Sequence, residues 1–306
     1  MAWPEGSSGV GDGKPALRRM GASPGGGPTV PRRLLGAQLR RLREERKITL
    51  EDAGDVIRAS GSKMSRLENG RVSFKDRDIS DLLTFYGVTD EQQRAALREL
   101  ARSAGAHGWW HDYSDVLPSW FEAYVGLEEA ATNIRAYENQ FVPGLLQTED
   151  YARAVIAAGA VDGSPEAVDR NVAFRMARQP ALTSEDPPQL WAVLDEAALR
   201  RQVGGSGLMR LQLDHLLDVA GLPNVAIQVL PFGAGAHPAM GRPFVILAFP
   251  ERADPDVVYL EDLTSALYVE NVDEVDRYNV FFNHLRATAL SFEESAALIT
   301  SVMKDL

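Results

Sequence analysis

The chain has no cysteine among its 306 residues. That excludes disulfides and every thiolate-based zinc or redox chemistry, and it fits the reducing cytosol expected as its compartment. Histidine is scarce: His107, His111, His215, His237 and His284 are the only five, with no HxxxH or HExxH spacing. A metal site would have to be assembled from distant carboxylates, and none is expected. No apolar run approaches the roughly 20 residues of a membrane helix. The Gly-rich stretch GAGA (residues 233–236) lacks the GxGxxG or Walker pattern, so no nucleotide site or other cofactor is implied. No fixed-period repeat is visible. A positive net charge is missing as well: 32 Lys+Arg stand against 43 Asp+Glu, a net of −11.

The deficit is unevenly spread. Residues 31–104 carry 16 basic and 12 acidic side chains, a net of +4, whereas residues 105–306 carry 13 and 29, a net of −16. Such asymmetry suggests a basic nucleic-acid module joined to something else. With a Debye length of about 8 Å at physiological salt, the acidic part does not forbid DNA binding by the basic part.

Composition shifts mark the boundaries. Residues 1–30, with MAWPEGSSGVGDGKP and GASPGGGP, are too poor in apolar surface to order themselves and read as a disordered arm. The arm has no apolar h-region, so it is no secretory signal. Translation from Met20 is the alternative, and an intact mass of the native protein decides between them. Over residues 31–104 five short helices are expected. Leu35, Leu39 and Leu42 recur at one-face spacing, with Arg40, Arg41 and Arg43 off that stripe. Thr49 caps a second helix, with Asp52 at its third position, and Ser60 caps a third that Asn69 and Gly70 stop. A fourth helix turns Ile79, Leu82, Leu83 and Tyr86 inward and ends at Gly87; a fifth begins near Thr89.

From Trp109 to about 303 the texture changes. Helices are expected over 117–137, 148–159, 165–178 and 207–220, strands over 189–194, 225–230, 243–249, 256–261 and 266–270, and two closing helices over 273–289 and 291–303. This is an α+β domain with a mainly antiparallel sheet, joined by short connections. The loop TSEDPP (183–188) is expected to separate a helical first half from the sheet.

Residues 49–67 place two short helices around a tight turn, the arrangement that sends a second helix into the major groove. The segment TLEDAGDVIRASGSKMSRLENGR (49–71) resembles the Cro/C1-type, phage repressor-like (XRE) helix-turn-helix family. The match includes small Ala53 and Gly54 where the helices cross, and Ile57 before the turn. One position departs: the family usually has Gly where Arg58 stands, and a left-handed backbone there would carry modest strain. The resemblance implies a λ-repressor-like DNA-binding domain. By chemistry, Gly61, Ser62 and Lys63 are base-edge candidates, with Arg66 one turn further. Thr49, Ser60 and Arg71 are phosphate candidates that set register. Glu68 is expected to pair inside the domain, and Met64 and Leu67 to face its core.

The likeness extends over GPTVPRRLLGAQLRRLRE (27–44), WWHDYSDVLPSWFEAYVGLEEAA (109–131), AYENQFVPGLLQTEDYARAV (136–155), LDEAALRR (194–201), LPNVAIQVLPFGAGAHPAM (222–240) and VVYLE (257–261). Together these resemble actinobacterial regulators that pair such a module with a large C-terminal domain of the DUF5753 type. That resemblance implies a developmental or secondary-metabolism regulator, often encoded beside a small partner protein and likened to an antitoxin. The expected partners are double-stranded DNA, a second copy of the chain and such a small protein, on the nucleoid and away from membranes.

An enzyme is not expected. Asp195 and Glu196 are adjacent carboxylates that diverge in direction and read as surface charge. His237 sits in a Gly-rich loop where a ligand could approach, though a plain loop histidine is the simpler reading. Trp109, Trp110, Tyr113, Trp120, Phe121 and Tyr124 form an aromatic cluster that either docks the larger domain or walls a pocket. Residues 137–151 are a second candidate wall, which leaves Trp109, Trp110, Tyr137, Gln140 and His237 as the candidate ligand or partner pocket. An alternative to the regulator is an antitoxin-like protein that sequesters a partner and binds DNA only at its own promoter.

Overall fold

The computed structural model describes residues 30–70, 72–105, 108–160, 163–249 and 256–306. The arm expected over 1–30 lies outside them, Val30 excepted, and so do Met20 and Arg71.

Five helices form the first unit: α1 (Val30–Glu45), α2 (Leu50–Val56), α3 (Gly61–Glu68), α4 (Asp76–Phe85) and α5 (Glu91–Gly105). Leu35, Leu39 and Leu42 of α1 close over Ala53, Met64, Leu67, Ile79, Leu82, Leu83 and Tyr86. Caps fix the starts of α2 and α3. The Thr49 hydroxyl accepts from the Asp52 amide, and that of Ser60 from the Lys63 amide. Each satisfies a donor that the first turn leaves orphaned, worth about 1 kcal/mol. Two close approaches demand glycine. A Cβ on Gly36 would lie 2.3 Å from the Glu68 carbonyl oxygen, and one on Gly54 2.5 Å from that of Ala59. Hence α1 crosses the end of α3, and α2 meets the following turn, at backbone contact.

Arg58 adopts the left-handed backbone that the turn requires, at φ +55°. An L side chain there costs roughly 1–2 kcal/mol, while glycine's extra entropy costs about 0.5–1 kcal/mol. Arg58→Gly is therefore expected to stabilise the helical unit by up to about 1 kcal/mol in urea titrations; a lower midpoint would show that the turn is not strained.

The second unit runs α6 (Ser119–Ala130), β1 (Asn133–Glu138), α7 (Glu149–Gly159), α8 (Pro165–Arg178), β2 (Gln189–Asp195), α9 (Glu196–Arg200), α10 (Ser206–Val219), β3 (Val225–Leu230), β4 (Phe244–Ala248), β5 (Val257–Glu261), β6 (Ala266–Val269), α11 (Val272–Thr288) and α12 (Phe292–Asp305). The six strands form one mixed sheet in the order β3-β2-β1-β4-β5-β6. β1 pairs in parallel with β2, and β2 with β3, while the β1–β4, β4–β5 and β5–β6 pairs are antiparallel. The sheet is thus mostly antiparallel. Its parallel pairs need crossovers longer than a hairpin; α7 and α8 supply one, α9 and α10 the other.

Two expectations are corrected here. The helix expected to run to 137 ends at Ala130, and β1 follows as a central strand. Local composition (EEAATNIRAYE) favours helix, but hydrogen bonding on both edges, to β2 and β4, overrides that preference. The TSEDPP loop consequently separates no helical half from the sheet, because Asn133 before it registers with Gln189 just after it. One sheet face packs against α6, α8, α10 and α12, with Ile134, Ala136, Leu190, Leu194, Ile227, Leu247 and Tyr259 inward. The other packs against α11 through Tyr137, Val193, Ile246, Val258, Phe282 and Leu285. No described helix is long and apolar enough to cross a membrane.

Candidate functional site

The α3 helix offers one face to the core and the other to solvent. Met64, Leu67 and Glu68 are buried; Ser62, Arg66 and Asn69 are exposed, and Gly61, Lys63 and Ser65 are half-buried. Thr49 and Ser60 are exposed beside it. Ser60 and Ser62 share a hydrogen bond of 3.0 Å between hydroxyls, and the Thr49 hydroxyl also donates to Asp52 Oδ2. Among the described residues neither Lys63 nor Arg66 is held in an ion pair, while nearby Arg40 and Arg41 are paired with Glu44 and Glu45. The geometry therefore gathers Thr49, Ser60, Gly61, Ser62, Lys63 and Arg66 around the start of one helix. Arg71 lies outside the described residues.

The helix is anchored from behind. Arg43 Nε donates to Glu68 Oε1 at 2.7 Å, and Nη2 to Oε2 at 2.9 Å. Both residues are buried, and Arg43 Nη1 also donates to the Ile48 carbonyl. The hydrogen bonds to Glu68 hold the Arg43 guanidinium's proton more firmly than usual, against the cost of burial. Arg43 was expected off the leucine stripe, yet it lies four residues from Leu39 and so on the stripe's edge. One residue beside the base-edge candidates was missed. A Cβ on Gly61 would meet Glu51 Oε1 at 2.9 Å, so a carboxylate stands over the first turn of α3.

In the larger unit the five pocket candidates do not converge. Alternate residues of a strand face opposite ways, so Tyr137 points away from the face that holds Trp109 and Trp110. Tyr137 meets His237 instead, with 3.3 Å between the hydroxyl and Nε2. The His237 side chain is buried, its Nε2 is 3.9 Å from Asp195 Oδ2, and its Nδ1 has no hydrogen-bond partner. Gln140 is exposed, and Trp110 is in the core. Glu196 is likewise no surface charge. It is buried, accepting from Arg200 Nε at 2.6 Å and from the Phe232 amide at 2.8 Å. Asp195 caps α9 through the Ala197 amide.

Two cavities do form, on the α6–α8 face. One of about 110 Å³ is lined by Phe121, Tyr124, Glu128, Glu138, Phe141, Arg175, Arg178, Tyr259 and Glu261 among others. The second, about 370 Å³, is lined by Trp109, Glu129 and Pro180 among others. Glu128 and Arg178 line both, so their ion pair is the partition. Arg178 donates to Glu128 through Nε at 2.7 Å and Nη2 at 2.6 Å, and the Tyr124 hydroxyl adds a third bond at 2.7 Å. Burial alone would lower the Arg178 pKa; the Glu128 charge and hydrogen bonds more than reverse that. The guanidinium also lies within 5.9 Å of the Phe121, Tyr124 and Phe174 ring centres.

Within residues 137–151, expected as a pocket wall, the segment 142–148 is pinned by side-chain amides. Gln147 Nε2 donates to the Val142 carbonyl, Gln179 Nε2 to those of Gly144 and Gln147, and Gln212 Nε2 to that of Leu146. Glu138, Phe141, Pro143, Gly144 and Leu145 from 137–151 do line the smaller cavity. What the sequence did not reveal is the charge inside. Arg175 and Arg178 fall in the helix expected over 165–178, and Glu261 at the end of the strand expected over 256–261, with no signal that either end would face a cavity.

Residues 34–106 match a family described as a helix-turn-helix domain, and residues 121–301 match a family described as a domain of unknown function, DUF5753. No curated protein and no solved structure matches the chain.

Proposed function

Because the chain belongs to the DUF5753 family and carries a helix-turn-helix domain ahead of that region, we propose that it is a sequence-specific transcriptional regulator of the Cro/C1 type. In this reading its larger domain responds to a small molecule or a partner protein. The helix-turn-helix domain supports DNA binding; the finer reading rests on the α3 surface. A capped helix start with exposed Ser62 and Arg66 and with Lys63 outside any described ion pair suits base edges, and Thr49 and Ser60 suit the flanking phosphates. Two copies with their α3 helices about 34 Å apart would read a palindrome.

Contact between the units supports a response. α6 lines both cavities and packs against α1, and the Arg33 guanidinium lies 5.5 Å from the Phe249 ring centre. The reading gives the larger domain no catalytic role, since Asp195 and Glu196 are committed to capping and to Arg200. The acidic surplus beyond residue 105 favours a second reading, in which a basic partner protein is sequestered and DNA binding is autoregulatory. A genome-wide binding map separates the two: confinement to its own promoter supports sequestration.

Lys63→Ala is expected to relax base preference at one operator position by roughly 1–3 kcal/mol, as measured by competition between operator variants. Unchanged discrimination would remove Lys63 from the reading set.

A further inference from the structure

Once the internal pairings of the smaller cavity are made, three charged groups remain. Glu128 is fully engaged by Arg178 and Tyr124. Arg175 has a single neutral partner, donating through Nη1 to Gln147 Oε1 at 2.9 Å. Glu138 has an oxygen, Oε2, that is closed to solvent and without a hydrogen-bond partner. Glu261, the more exposed of the two carboxylates, accepts from the Tyr259 hydroxyl at 3.1 Å. No described ion pair joins Arg175 to Glu138 or Glu261.

Two carboxylates thus line one half-open cavity with Arg175, neither held in a described ion pair, and the Glu261 charge is legible in Glu138. Burial, and then the Glu261 charge, push its carboxyl up to about 8 against the opposing pull of the Arg175 charge. Burial pulls the Arg175 guanidinium down to about 10. A buried polar group without a partner is costly, and an unpaired buried charge more so. The walls between these groups are aromatic: Phe121, Tyr124, Phe141 and Tyr259. Ring faces attract cations. Among the described residues no three His, Cys, Asp or Glu side chains are grouped to hold a metal ion.

We propose that the smaller cavity is a receptor site for a small amphoteric molecule, its ammonium group placed between Glu138 and Glu261 and its carboxylate on Arg175. The inference rests on the reading of the larger domain as a sensor. The space of about 110 Å³ is below the roughly 150 Å³ that admits benzene. The ammonium and carboxylate end of a small amino acid is what fits, with a larger side chain left in the half-open mouth. Glu128 and Arg178 at the partition, and α6 beneath the DNA-binding unit, would carry its occupancy towards α1.

The test titrates full-length protein with three matched sets: L-alanine, ethylamine and propionate; L-valine, isobutylamine and isobutyrate; and magnesium or calcium chloride. Calorimetry in two buffers of different ionisation heat follows affinity and protons together. The amino acids are expected to bind at least 10-fold more tightly than either truncated partner, with proton release at pH 7 as Glu138 ionises against the ammonium group. Glu138→Gln and, separately, Glu261→Gln are each expected to weaken amino-acid binding at least 10-fold, with the circular dichroism of the fold unchanged. Binding by neither amino acid, equal binding of the carboxylate alone, tighter binding of a divalent ion, or full affinity in both variants overturns the proposal. Footprints on operator DNA, run with and without L-valine, address the other reading. Amino-acid binding that leaves the footprint unchanged keeps the site and removes the sensing role. An intact footprint with no amino-acid binding removes the site and keeps the DNA-binding role.

Discussion

Glu68→Ala is expected to destabilise the helix-turn-helix unit strongly while the sheet of the larger unit stays folded. The substitution leaves the Arg43 guanidinium buried with only the Ile48 carbonyl and the peripheral Glu44 carboxylate, 3.5 Å from Nη2. Breaking one side of a buried pair costs about 3–5 kcal/mol, because the remaining charge stays desolvated. A helical unit of this size has on the order of 5–10 kcal/mol in total, so much of its stability would go. The double variant Arg43→Met/Glu68→Leu fills the same volume without charge and is expected to recover most of the loss. Native-state hydrogen exchange reads the two units separately: protection should collapse across α1–α5 and persist in β1 and β2. If the double variant is as unstable as Glu68→Ala, packing at the α1–α3 crossing is at fault and not the stranded charge. Operator binding should follow the same order, since α3 is held in place from that side.

The reach of the sequence differs between the two units for physical reasons. In the first, local signals agree with the tertiary result: caps at Thr49 and Ser60, stops at Gly70 and Gly87, and leucines at helical spacing. Short helices joined by short turns leave few alternatives, so the candidate DNA contacts among the described residues, all but Arg71, fall around one helix start. Even there Arg43 was misread, because a strict three-residue stripe ignores the wider apolar face that a packed helix presents. In the larger unit the five strands after residue 188, several of them β-branched, were legible, while β1 was not. Its identity as a strand is conferred by neighbours distant in sequence, Ala248 on one side and Gln189 on the other. Misreading β1 also scattered the expected pocket. Tyr137 and Glu138 are adjacent in sequence, yet the strand sends the first to His237 and the second to the cavity beside Arg175. No periodicity distinguishes a buried arginine paired with a carboxylate from a solvated one, so Arg178 and Glu128 became visible only with the fold.

Glu138→Gln should reveal the cavity's electrostatics even without a ligand, as a change in stability that depends on pH. In the folded protein the Glu138 carboxyl is raised to about 8 from an ordinary 4.5. A group raised in this way lets the native state bind more protons than the unfolded state between those two values. Stability from this group is therefore fully present below about 4.5 and is lost as pH rises through about 8. The glutamine mimics the protonated form and cannot ionise. Wild type and variant should unfold at similar urea concentrations at pH 5, whereas above pH 8 the variant should be the more stable, by a few kcal/mol at most, at about 1.4 kcal/mol per pH unit of displacement. Glu261→Gln supplies the internal check. Removing the like charge should bring the Glu138 carboxyl down and shift the window over which stability falls towards lower pH. A stability gain of the same size at pH 5 and pH 9 would place the effect in packing and remove the repulsion between the two carboxylates from the account of the cavity.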